Sequence, residues 1–156
     1  MAPYVESDPA ISIHSEAFKW EEVHHYVSTN QIKKIHRSQS VQKVYNQWMK
    51  DTLDKYGSIE TYLLKEKLHF PTDAFSIDRP PVILLPNDFP YAVEPGINHL
   101  LMWSQTPLNQ EYIEEILLSR FGMAYEWVYW VNPVEIQSVR RLPHVHVFLR
   151  RRLSRE

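Results

Sequence analysis

The segment Pro143-His144-Val145-His146-Val147-Phe148 holds the residues best suited to chemistry. In a strand, alternate side chains share a face. His144, His146 and Phe148 then lie on one side, and Val145, Val147 and Leu149 on the other. The valine side is a core face. The two imidazoles stand about 7 Å apart along the strand. That spacing suits two contacts to different oxygens of one phosphate chain, or two ligands of one metal ion. An exposed pair packed against Phe148, with no function, is the competing reading. His99 opens an apolar strand, His99 to Trp103, and is the expected third member, although a histidine at a strand start is often structural. His99, His144 and His146 would also make a three-histidine zinc set, with Asp88 as a fourth ligand.

Other polar residues fall near these in the chain. Asn132 and Ser138 can donate to phosphate oxygens, and both are also ordinary turn formers. In Asn87-Asp88-Phe89-Pro90-Tyr91, Asp88 and Tyr91 could line a pocket, or the segment could be an Asx-turn followed by a packed aromatic. The sequence has no Gly-rich phosphate loop, no nucleophile elbow, no His-Glu-x-x-His helix and no dinucleotide fingerprint. With no cysteine, thiolate metal sites and disulfides are excluded.

The elements that must position these groups read from hydrophobic periodicity. Residues 1–15 are expected to be a mobile arm. Two short helices are expected between Phe18 and Arg37. A longer one runs from Ser40 to Tyr56, where Val41, Val44, Tyr45, Trp48, Thr52 and Tyr56 recur at spacings of three and four. Ser38 or Ser40 caps its start, and Gly57 sits where a left-handed residue would end it. Ser58 can cap a further helix that stops before Pro71. A loop over 71–81 follows. Then come a strand from Val82 to Leu85, a strand from His99 to Trp103, a helix over 109–121, and strands from Tyr125 to Val131 and from Leu142 to Leu149. The joins are too short for many parallel crossovers. The expectation is an α+β fold, a helical N-terminal half packed on one side of a mostly antiparallel sheet.

At 156 residues and a net charge of −2 the chain is sized for a single domain and is not built to attract nucleic acid. Six arginines fall in the last 17 residues, which reads as a phosphate-attracting end or as a solvated basic tail. No run approaches the ~20 apolar residues of a membrane span, and the N-terminal residues lack a secretory signal. The expected location is the cytoplasm, with the nucleus open.

Two family resemblances rest on these residues. Tyr56-Gly57-Ser58, Tyr62-Leu63-Leu64, Pro86 to Tyr91, Gly96-Ile97 with His99, Trp103-Ser104, Pro107-Leu108 and Pro143 to Phe148 resemble the fungal N-acetylglucosamine-induced protein family. That resemblance implies a link to amino-sugar response and no particular reaction. Residues 82–152 are similar to the histidine-triad superfamily of nucleotide hydrolases and transferases, whose late strand reads His-x-His-x-His.

The second resemblance implies a histidine-triad-like C-terminal half that hydrolyses or transfers a nucleotide or sugar-nucleotide phosphate. His146 would be its nucleophile, His144 a phosphate or leaving-group contact, and His99, Asn132 and Ser138 supporting donors. Phe148 stands at the third triad position. Arg140 and Arg141 lengthen the turn before His144 and could take over phosphate contacts. A binding module for a phosphorylated metabolite, without turnover, is the alternative. No cofactor is implied apart from the zinc alternative, and a homodimer is expected only by analogy.

Overall fold

The computed structural model describes residues 17–72 and 78–153. The arm expected over 1–15 lies outside the described residues. Helix α1 runs Trp20–Ser28. Where a second short helix was expected there is a single 3-10 turn, Ile32–Lys34. Asn30 at φ 56° breaks the chain between them.

Helix α2 spans Gln39–Tyr56. The Val41 N–H donates to the Ser38 hydroxyl at its start, and Gly57 closes it at φ 83°. Ser58 caps the short helix α3, Ile59–Tyr62, which runs on into a wide π-turn over Leu63–Lys67. Both caps stand where the sequence placed them. The π-turn carried no sequence signal.

Strands β1 (Val82–Pro86) and β2 (Asn98–Ser104) precede helix α4 (Gln110–Phe121). Strands β3 (Tyr125–Trp130) and β4 (His144–Arg151) follow it. The sheet order is β1-β2-β4-β3, and every pairing is antiparallel. Among the described residues no helix is long and apolar enough to cross a membrane.

The register assigns the two faces. Trp103 pairs with His144, Leu101 with His146 and His99 with Phe148, while Trp130 pairs with His146 from the other side. One face thus carries His99, Leu101, Trp103, Val128, Trp130, His144, His146 and Phe148. The opposite face carries Met102, Val145 and Val147, which pack on Ile113 and Leu117 of α4.

Helices were expected on one side only. They cover both. Trp20 and Val23 of α1 pack on Val128, Trp130 and Phe148, and Ile59, Tyr62 and Leu63 pack with Trp103. The reason lies in the histidine face itself: it is rich in large aromatics, so it needs cover as much as the valine face does. The arginine block is not wholly a tail either. Arg150 and Arg151 are in β4. Arg150 pairs with Glu126 at 3.3 Å and stacks over Trp20 at 4.7 Å.

Candidate functional site

The histidine face and the helical layer leave a cavity of about 100 Å³ between them. About 10–15 Å³ on this measure holds one water. The cavity therefore has room for several waters, or for a small polar ligand of comparable size.

The segment from Asn87 to Tyr91 wedges this cavity open. The Asn87 N–H donates to the His99 carbonyl at 2.9 Å, and the Asn87 side chain accepts from the Phe89 N–H at 2.9 Å. This is the Asx-turn alternative of the sequence reading, and it also delivers Asp88, Phe89 and Tyr91 to the cavity wall. Asp88 pairs there with Lys67, which the π-turn presents.

His146 lies at the floor, with His99 directly behind it. His99 Nε2 and His146 Nδ1 are 2.9 Å apart. The Tyr91 N–H donates to His99 Nδ1 at 3.1 Å. His146 Nε2 lies 3.1 Å from Asn132 Nδ2, and Asn132 Oδ1 accepts from the Trp130 indole at 2.7 Å. Asn132 Nδ2 also donates to the Tyr91 hydroxyl at 3.3 Å. Both histidines are buried. Burial, with the nearby Arg37 charge adding to it, pushes the His99 pKa down to about 3. Burial also holds His146 well below the usual histidine range, with His99, His144 and Arg37 contributing. Both rings are neutral at physiological pH.

His144 differs from its neighbour. It is half-buried, lies against Trp103 and lines the cavity. Its Nδ1 is 2.9 Å from the Leu142 carbonyl. A carbonyl only accepts, so that nitrogen carries the proton and Nε2 keeps its lone pair. Burial lowers its pKa, opposed by this hydrogen bond.

Of the residues singled out in sequence, Asp88, Tyr91, Asn132, Ser138, His144 and His146 line the cavity. His99 stands one step behind, bonded to His146. Arg140 and Arg141 are exposed and do not line it. The four-residue segment before His144 directs them outward, where the Arg141 N–H reaches Glu60 at 3.2 Å.

The zinc alternative also fails, on geometry. The His99 and His146 nitrogens face each other at hydrogen-bond distance. Two nitrogens on one tetrahedral zinc, each at about 2.1 Å, would stand about 3.4 Å apart with their lone pairs converging on the metal. Among the described residues no group of three His, Asp or Glu side chains could hold a metal ion.

Arg37 went unnoticed in the sequence. It precedes the Ser38 cap of α2, and its guanidinium lies 4.0 Å from the Tyr45 ring centroid and 5.0 Å from that of Tyr91. Its Nε donates to the Phe89 carbonyl at 2.7 Å. Burial works against its charge, with Tyr45 and Tyr91 working for it. Among the described residues it has no carboxylate within ion-pair distance. Trp48, Tyr62 and Trp103 complete the walls. Their helical or strand periodicity marks them as core, and no sequence signal separates a core aromatic from one beside a cavity.

Comparison with known proteins fits this architecture. A crystal structure of HTC1 superposes with a TM-score of 0.58 at 25% identity, covering 86% of this chain and 85% of that one. N-acetylglucosamine-induced protein 1 of Candida albicans is 27% identical, over 86% of this chain and 69% of its own length. The uncharacterized protein YPL067C of Saccharomyces cerevisiae is 26% identical, over 86% of this chain and 80% of its own. Residues 19–150, which hold every cavity residue described above, match a family described as protein of unknown function (DUF3605), and the chain belongs to that family.

Proposed function

We propose that the cavity binds a small phosphorylated metabolite. The observation that carries this is Arg37, a half-buried cation at the cavity wall with no carboxylate partner among the described residues. Partial desolvation works against an unpaired charge. Stacking on Tyr45 and Tyr91 offsets part of that cost, and an anionic ligand would offset the rest. Lys67 adds a second cation at the wall, although Asp88 already engages it. Trp48, Tyr62 and Trp103 offer apolar faces to a sugar or a base. The Candida relative is named for induction by N-acetylglucosamine, which puts phosphorylated amino sugars and sugar nucleotides first among the compounds to try.

Calorimetry with inorganic pyrophosphate, nucleotides and sugar nucleotides tests this reading. Binding of at least one phosphorylated compound is expected. A hydrogen bond to a charged group contributes about 1.5–3 kcal/mol, so Arg37→Met should weaken binding by roughly ten-fold to a hundred-fold. Equal affinity in that variant, or no binding by any phosphorylated compound, overturns the proposal.

His144 favours a second reading, in which the bound phosphate is turned over as the histidine-triad resemblance implies. Its Nε2 lone pair is free while Nδ1 is held by Leu142. Attack by Nε2 forms an N–P bond, and the bond from phosphorus to the leaving oxygen breaks, its electron pair going to that oxygen. Water then attacks phosphorus, the N–P bond breaks with its electron pair returning to Nε2, and the water's proton passes to solvent, leaving the neutral imidazole. Under this reading His144 takes the role that the resemblance gives to His146. Product formation from a sugar nucleotide should vanish in His144→Gln while binding persists. Turnover that survives His144→Gln rules the reading out.

A further inference from the structure

The buried chain of hydrogen bonds has one donor too many. Two of its members can only donate: the Tyr91 N–H at one end and the Trp130 indole N–H at the other. The first fixes His99 with Nδ1 accepting, so its proton is on Nε2, which faces His146 Nδ1. The second fixes Asn132 with Oδ1 toward the indole. Its amide nitrogen then directs one hydrogen to the Tyr91 hydroxyl and the other to His146 Nε2. His146 is thus offered a hydrogen at both ring nitrogens. A ring accepting at both would be an imidazolate anion, which a buried site does not tolerate. A neutral His146 keeps one proton, and at that nitrogen two donors meet.

Position decides which nitrogen carries it. A proton on Nδ1 would face the His99 N–H, and among the described residues His146 Nδ1 has no hydrogen-bond partner other than that ring. A proton on Nε2 faces Asn132, and His146, Asn132 and Tyr91 all line the cavity. The His146 ring stacks on Trp130 at 5.0 Å, which keeps it from turning away.

We infer that His146 is protonated at Nε2, and that His146 Nε2–H and Asn132 Nδ2–H together form a subsite for one acceptor oxygen of the ligand. Two donors 3.1 Å apart can both reach a single oxygen at 2.7–3.0 Å. This rests on the phosphate-binding reading and deepens it: the oxygen is an unprotonated phosphoryl oxygen. His146 is then a neutral hydrogen-bond donor and a binding residue. An ammonium group of the ligand, which only donates, would add a further donor and be rejected there.

Long-range proton–nitrogen NMR correlation on the 156-residue chain tests this without any variant, alone and with inorganic pyrophosphate. In the free protein His99 and His146 should both show a protonated, pyrrole-type Nε2 and a pyridine-type Nδ1. Pyrophosphate should shift the His146 Nε2–H proton downfield. A proton on His146 Nδ1 overturns the inference, even if calorimetry shows that pyrophosphate binds. Binding that leaves the His146 Nε2–H resonance unmoved overturns it too. Absence of any pyrophosphate binding, seen in calorimetry, falls first on the reading of the cavity and removes the oxygen subsite with it.

Discussion

The neutral histidines make stability depend on pH, and the sign follows from the unfolded chain. There each histidine titrates near its ordinary value of about 6.5. In the fold His99 stays neutral down to about 3, and His146 is also held well below 6.5. Above about 6.5 neither state takes up the proton, so these groups leave stability unchanged. Below it the unfolded chain gains protons that the fold refuses, and stability falls as pH falls. The loss approaches about 1.4 kcal/mol per pH unit for each buried histidine. From pH 7.5 to 5.5 the two should together remove about 2–3 kcal/mol. Urea denaturation at the two values checks this. His99→Phe should reduce the pH effect by about 1.4 kcal/mol, and a pH dependence equal to that of the parent protein would contradict it.

At the next scale, the elements place the site through a few local decisions. Gly57 ends α2 at φ 83° and lets Ser58 start α3 at once, which turns Ile59, Tyr62 and Leu63 against Trp103. A Cβ at Gly57 would meet nothing within 4 Å. The cost of Gly57→Ala is therefore one of backbone conformation alone, about 1 kcal/mol. Thermal unfolding should show a modest loss with phosphate affinity retained; loss of the fold would mean that the turn does more than reverse the chain.

Strand β4 makes the opposite case. Phe148 is fully buried among His99, Trp130 and Tyr91. Phe148→Ala should cost about 3–5 kcal/mol. A large apolar ring at the third position of the His-x-His series works as packing, and it stiffens the rings beside it. Urea unfolding measures that cost, and a loss under 1 kcal/mol would argue for slack around the ring.

Across the whole molecule, what the sequence revealed depended on whether the signal was local. Caps, alternation along β4 and the α4 stripe are local, and Ser38, Gly57, the His144–His146 face and the helix over 109–121 were all legible from them. Arg37, Lys67 and Trp48 reach the cavity only through tertiary packing, from a segment before α2, from the π-turn and from α2 itself. Nothing in their own neighbourhoods distinguishes them from a surface cation or a core aromatic. The one-sided sheet fails for the same reason: alternation in β4 marks its valine face, whereas Trp103 and Trp130 join the histidine face only through pairing with β2 and β3.

That load makes a prediction about the fold as a unit. Residues 82–152 carry the histidine-triad resemblance, which invites the view that they are a self-sufficient core. The histidine face argues against it. Trp103, Val128, Trp130 and Phe148 are all buried, and α1, α3 and the turn at Ile32 supply much of their cover. Without that cover three large aromatic side chains and Val128 would meet water together, an apolar patch of several hundred Å² on one face. At about 25 cal/mol per Å² the penalty is several kcal/mol, comparable with the whole stability of a small domain. The fragment 78–153 should therefore lack a cooperative thermal transition and bind a hydrophobic dye, while the 156-residue chain unfolds in one step. A sharp, reversible transition in the isolated fragment would show that the helical layer is an addition to an independent core.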